Sequence, residues 1–284
     1  VQVVRDTLAV PMGLAENQFF LFELGFGLIL ALLVIVVALG QLPRLGRVTA
    51  VLVPSMVLGY LLLTAVVLIS HASEVPAALA LIVRDAFTGQ AAAGGVLGAV
   101  IITGFRRAAF SNEAGIGTEA MAHGAARTRE PVREGLVAML GPIIDTLIVC
   151  TCTALVILIS GVWQSADADG VTLTALAFQK LFPVGGAWLL ALLMSVLSMS
   201  TVFTFWYYGS KCLGFLIGAK HQHHYVWIYA TLVVCGAVLS LNLIVSLIDS
   251  MYALMVIPTM TSALLLAPKV NAAARRYFST TSES

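Results

Sequence analysis

An apolar run from Ala91 to Gly104 stops about halfway across a bilayer, because a helical span takes roughly 20 residues at ~1.5 Å rise each. The next residues, GFRRAAFSNEAGIGTEAMAHG from Gly104 to Gly124, place charged and polar side chains where hydrocarbon is expected. The pattern predicts a span over 92–125 that is broken in its middle. Gly115 and Gly117 tolerate non-helical backbone, while Ser111, Asn112 and Glu113 offer oxygens that lipid penalises unless they face a partner, water or an ion. An ion or solute site near the bilayer midplane is built in this way.

The rest of the chain fits that setting. It is 60% hydrophobic and 10% charged, with a mean hydropathy of +1.00, whereas soluble domains use roughly 45–50% apolar and ~25% charged residues. This is the composition of an all-α polytopic membrane protein. A formal net charge of +1, with no single basic patch, argues against a nucleic-acid partner. Cys150, Cys152, Cys212 and Cys235 show no disulfide or zinc spacing and read as packing residues. No catalytic Ser/His/Asp or Cys/His set and no phosphate-binding glycine loop appears, so the sequence does not read as an enzyme. There is no signal peptide, and the chain begins at Val1, which suggests a fragment.

Hydropathy predicts seven spans, at 19–40, 50–71, 92–125, 134–160, 185–208, 225–246 and 248–267. Arg44 and Arg47, then Arg127, Arg129 and Arg133, then Lys211 and Lys220, and last Lys269, Arg275 and Arg276 mark one set of connections as basic. The positive-inside rule puts that set and the C-terminus in the cytoplasm. Seven crossings then leave Val1 outside. Ser73–Gly89 is amphipathic and too short to cross, so it is expected as a surface helix, either a lid over the outer mouth or a plain connection. The polar stretch 269–284 is expected as a disordered cytoplasmic tail.

Several ordered signatures carry a family resemblance: GFRRAAFSNEAGIGTEAMAHGAA from Gly104, REPVREG from Arg129, and PIIDTLIVCTCTALVILISG over Pro142–Gly161. They continue with STVFTFWYYGSKCLGFLIG over Ser200–Gly218 and IDSMYALMVIP over Ile248–Pro258. Over Gln2–Val270 the chain resembles the sodium:alanine (alanine/glycine:cation) symporter family. That resemblance implies a leucine-transporter-type inverted-repeat fold of two five-helix repeats, here truncated to about seven spans. Residues 1–91 would be the remainder of the first repeat, from the end of helix three through helices four and five and the outer surface helix. Residues 92–268 would be the complete second repeat. The family's other broken helix, with its G-x-G-N-I segment, has no counterpart, so the resemblance implies a fragment that does not close the site alone.

By the same resemblance Phe110 and Ile116 would wall an alanine-sized pocket, with Asn112 supplying an amide. N–H groups near Gly115, Gly117 and Thr118 would favour a substrate carboxylate at the start of the inner half-helix. Ser111, Ser200 and Thr201 would offer hydroxyl oxygens to sodium, the coupling ion. Asp145, beside Thr146, is an intramembrane carboxylate whose partner could be sodium or Arg106 or Arg107, with Glu113 as another partner for the arginines. Ser198, Ser200 and Thr201 could instead back-bond to helix carbonyls. Phe205 stands where the family usually shows tryptophan, one place before Trp206, and Thr259 stands where it often shows asparagine. His221, His223 and His224 read as a solvated loop rather than a metal site, His123 as a cap, and Gly94, Gly95 and Gly98 as sites of close helix approach.

The implied activity is sodium-coupled symport of a small neutral amino acid, alanine or glycine, across the bacterial inner membrane. A non-transporting membrane subunit or solute sensor that keeps the fold is the alternative. An in-frame glycine-rich broken span upstream of Val1 would separate the two.

Overall fold

Backbone N–H and C=O groups in apolar surroundings must pair within their own segment, so apolar runs of this length form helices. The computed structural model describes residues 1–39, 41–87, 104, 113, 115–165 and 170–282. Every regular element among them is helical. Helical turns at Gln2–Val4 and Arg5–Ala9 precede α1 (Phe19–Leu39), α2 (Gln41–Ser70) and α3 (Val75–Phe87). Of the span predicted over 92–125, residues 92–103, 105–112 and 114 lie outside the described residues; beyond them come α4 (Thr118–His123), α5 (Pro131–Ser160), α6 (Gly170–Leu181), α7 (Gly186–Ile217), α8 (Tyr225–Val238) and α9 (Leu241–Ser282).

Among the described residues five helical stretches are long and apolar enough to cross a membrane: Glu16–Leu39, Ala50–Ser70, Pro131–Ser160, Gly186–Ile217 and Leu241–Ser279. This is a multi-pass membrane protein. Within the stretch 73–89 a helix forms over Val75–Phe87, as α3. Other boundaries differ from the sequence reading. The span predicted to end at 208 runs on to Ile217, because Ser210 and Lys211 are polar without breaking a helix, and the stop comes at Gly218 with φ +97°. The helices at the last two predicted spans meet at Leu239 and Ser240 rather than at 247, which leaves α8 at 14 residues, outside the five long apolar stretches. There Leu239 is extended and Ser240 supplies a residue type suited to starting α9. Instead of a disordered tail, 269–282 continues α9, where Ala272, Ala273, Ala274, Arg275 and Arg276 are all strong helix formers.

The chain divides into two units, each drawn from two stretches: Val1–Arg84 with Cys152–Ser240, and Asp85–Thr151 with Leu241–Ser284. The first unit holds most of the buried core. Val34 and Ala38 of α1, Phe203 and Trp206 of α7, and Val226 of α8 form one cluster, with Tyr225 and Tyr229 packed against it. Gly27 lets α1 and α8 approach closely, since a Cβ there would lie 2.7 Å from that of Ala237. A second part of the core joins α2, α5 and α6. Tyr60 meets the fully buried Phe178 edge-on and hydrogen-bonds to Thr153, while Thr64 donates to the Tyr60 carbonyl at 2.8 Å.

The second unit is built differently. Its buried residues, among those described, are Ile116 and Thr118, which flank Gly117 in the break. Pro258 and Pro268 lie inside α9, and each removes one helical N–H. Hydroxyls populate the turn around Pro258: Thr259 donates to the Met255 carbonyl and Ser262 to that of Pro258, both at 2.8 Å.

Candidate functional site

The described part of the break has left-handed backbone. Glu113 has φ +56°, Gly115 φ +87° and Gly117 φ +90°, and the helix resumes as α4 at Thr118. An L-residue held left-handed costs roughly 1–2 kcal/mol, and Glu113 is the non-glycine that does so among the described residues. A side chain at either glycine would also meet a neighbour from α9. A Cβ on Gly115 would lie 2.7 Å from Met260 Cε, and one on Gly117 2.9 Å from Thr259 Oγ1. A single turn, with the Ile116 N–H donating to the Glu113 carbonyl at 3.3 Å, shapes the bend.

The start of α4 carries groups in need of partners. No side chain caps its first turn, and the Thr118 hydroxyl is buried without a hydrogen-bond partner among the described residues. An unpaired buried hydroxyl costs on the order of 1–3 kcal/mol, so such a group calls for a ligand or a neighbour. Ile116 is 2% exposed. Of the expected site residues, Arg106, Arg107, Phe110, Ser111 and Asn112 lie outside the described residues, as do Gly94, Gly95 and Gly98.

Asp145 and Thr146 sit within a π-helical stretch, Ile143–Cys150, and both are half-buried. One extra residue per turn widens the helix there, a device common at functional positions. Both side chains are engaged in interactions. On α7 the hydroxyls back-bond. Ser200 Oγ donates to the Leu197 carbonyl at 2.8 Å, Thr201 Oγ1 donates to the same oxygen at 3.1 Å, and Ser198 donates to Met194 at 2.8 Å. Ser200 is buried and Thr201 exposed, although both hydroxyls converge on the one Leu197 oxygen. Back-bonding uses each proton and leaves oxygen lone pairs, which is the form in which a hydroxyl accepts a hard cation. Phe205 is half-buried and meets Tyr208 edge-on at 5.7 Å. Trp206 instead enters the α1–α7–α8 core, with its indole N–H unpartnered among the described residues.

Some polar features escape a reading by motif. Arg5 pairs with Asp6 at 2.8 Å and with Glu23 of α1 at 2.5 Å, and its guanidinium lies 4.6 Å from the centre of the Phe19 ring. Glu23, a carboxylate one turn inside an apolar helix, was the legible signal for this cluster. His123 is more than a cap, since its Nδ1 lies 2.8 Å from Glu134 Oε1 and ties α4 to α5. The loop histidines form a 3-10 turn over Ala219–His224, and the rings of His223 and His224 lie tilted at 36° with centroids 4.0 Å apart. Among the described residues no group of three or more His, Cys, Asp or Glu side chains is placed to hold a metal ion. A cleft of about 250 Å³ in the first unit is lined by Asp6, Thr172, Gln179 and Trp188, among others.

Comparison with known proteins adds to this geometry. A family model described as the sodium:alanine symporter family matches residues 7–284. The chain is 36% identical over 276 residues to the uncharacterized transporter YflA of Bacillus subtilis, covering 95% of this chain and 58% of that protein. It is 35% identical over 265 residues to the sodium/alanine symporter AgcS of Methanococcus maripaludis, covering 92% of this chain and 58% of that one. A probable sodium/glutamine symporter, GlnT of Bacillus subtilis, is 32% identical over 266 residues, covering 92% and 55%. The chain thus spans less than two thirds of the length of these relatives. With a family model running from residue 7 to the last residue, and an apolar helical architecture to match, the chain belongs to the sodium:alanine symporter family.

Proposed function

We propose that the protein carrying this chain couples sodium entry to uptake of a small neutral amino acid, alanine or glycine, across the bacterial inner membrane, with the C-terminus cytoplasmic. The observation that carries the reading is the left-handed backbone at Glu113, Gly115 and Gly117 followed by an uncapped helix start, inside a chain of this family. In hydrocarbon such backbone persists only where it lines a cavity or meets a partner. A leucine-transporter-type fold, in which half-helices meet at a midplane site, accounts for it.

In this reading Phe110, Ile116 and Phe205 wall the pocket, and Asn112 supplies an amide to it. The N–H groups at Gly115, Gly117 and Thr118 receive the substrate carboxylate, because a helix N-terminus carries partial positive charge. Ser111, Asp145, Thr146, Ser200 and Thr201 supply oxygens to sodium, and Arg106 and Arg107 with Glu113 form a gating ion pair. Sodium neutralises the acidic oxygens and orders the break, which raises affinity for the amino acid. The amino acid raises affinity for sodium by the same factor. No bond is made or broken, so the gradient alone drives the uphill step.

The test is uptake of labelled alanine by the full-length protein in sealed vesicles, with and without an inward sodium gradient. Gradient-dependent uptake is expected, and Ser111→Ala and Thr201→Ala should raise the sodium concentration for half-maximal uptake before they lower the maximal rate. Uptake indifferent to sodium would sink the coupling.

A further inference from the structure

We propose that Met260 of α9 is a size filter for the transported amino acid; this rests on the reading that the break at 113–117 lines the solute pocket. The argument begins at Gly115, which is left-handed at φ +87° and carries no side chain. The space a Cβ would take is occupied by the tip of Met260, whose Cε stands 2.7 Å from that position. A methionine from another helix thus stands where the break itself would have placed a side chain. Two residues further on the same helix closes on the break again, with Thr259 Oγ1 2.9 Å from a Cβ on Gly117.

The two contacts differ in kind. Thr259 is β-branched, so its χ1 is restricted, and its hydroxyl is anchored on the Met255 carbonyl at 2.8 Å. It holds the bend in place. Met260 is unbranched, with three rotatable bonds and a soft thioether, and the residue is 43% exposed, so its tip has room to swing. The methyl end of Met260 therefore sets how much volume is free above Gly115. A rigid wall on one glycine and a movable one on the next admit a small side chain and resist a longer one. Pro258, immediately before them, removes a helical N–H and loosens the α9 ladder at the same level.

The substrate class follows from that placement. An alanine methyl or a glycine hydrogen needs none of the space that Met260 fills, whereas a neutral side chain of three or four heavy atoms beyond Cβ needs Met260 displaced. Shortening Met260 should widen selectivity toward the larger solute without removing any polar contact that holds the amino and carboxylate groups.

The test uses the full-length protein in sealed vesicles under an inward sodium gradient, with labelled alanine and labelled glutamine. For Met260→Ala the ratio of alanine to glutamine kcat/KM should fall about tenfold, the scale at which apolar pockets discriminate by side-chain size. The change should come through a gain in glutamine uptake, with the sodium concentration for half-maximal alanine uptake unchanged. Met260→Phe should move the ratio the other way while glycine uptake survives. Thermal unfolding in detergent gives a second readout: the melting-temperature losses of Gly115→Ala and Met260→Ala should combine to less than their sum, because trimming Met260 removes the collision. Alanine uptake at the wild-type level with an unchanged ratio, or strictly additive melting shifts, overturns the filter alone. Wild-type vesicles that show no sodium-driven uptake overturn the transport reading and the filter with it.

Discussion

At the scale of single residues the break is specified twice over, by conformation and by space. Gly115 and Gly117 share a left-handed backbone that any L-residue adopts at a cost of roughly 1–2 kcal/mol. They differ in what presses on them. The tip of Met260 can turn aside from an added methyl at position 115, but Thr259 at position 117 is stiff at χ1 and bonded to Met255. Gly117→Ala is therefore expected to lower the melting temperature of the detergent-solubilised protein more than Gly115→Ala does, and to lose uptake more completely. Equal losses would mean that backbone strain alone, and not the Thr259 contact, governs both positions. The serine and threonine pair on α7 teaches a related lesson. Ser200 and Thr201 are neighbours in sequence and share one carbonyl acceptor, yet one is buried and the other exposed. Exposure, and neither residue type nor acceptor, separates them.

At the scale of elements the most consequential feature is the π-helical stretch Ile143–Cys150, which holds Asp145 and Thr146. A π turn contains one residue more than an α turn needs, so it widens the helix ahead of Thr151–Ser160. Deleting Val149 would let an ordinary α ladder close and would remove the widened turn that holds Asp145 and Thr146, while the residues on either side of it keep their facing. The expected outcome is loss of sodium-dependent alanine uptake with helical content by circular dichroism unchanged. Full uptake in the deletion variant would show that the widened turn around Asp145 does not matter. The elements also mark how far sequence reading reaches. Apolar runs and the glycine pair in the break were legible, because hydropathy and positive φ are local properties of the chain. Helix ends were less so: nothing in Tyr207–Leu213 breaks a helix, so α7 passes the point where polarity suggested a stop. The α8–α9 turn at Leu239 and Ser240 depends on one serine inside an apolar run, and periodicity does not reveal it. Partnerships across elements, such as His123 with Glu134 or Arg5 with Glu23, require knowing which helices meet.

At the scale of the whole molecule, two units are each assembled from separated stretches of chain, and they are packed to different degrees. The first has aromatic and aliphatic side chains buried along α1, α2, α6, α7 and α8. In the second, the described residues that are buried flank the bend at Gly117. Tight packing at a strained, polar bend is expected of a site that must hold its shape, since left-handed residues persist only where their surroundings fix them. The candidate residues on Glu113–Gly117 and on Ile143–Cys150 belong to the second unit, whereas Ser200, Thr201 and Phe205 belong to the first. The proposed function requires sodium and the amino acid to act on one equilibrium, whichever residues hold them. The most direct measurement is equilibrium binding of labelled alanine to the purified full-length protein across a range of sodium concentrations, paired with sodium binding at fixed alanine. Alanine affinity should rise with sodium, and sodium affinity should rise with alanine by the same factor; alanine binding that is unchanged when sodium is replaced by choline would contradict the account.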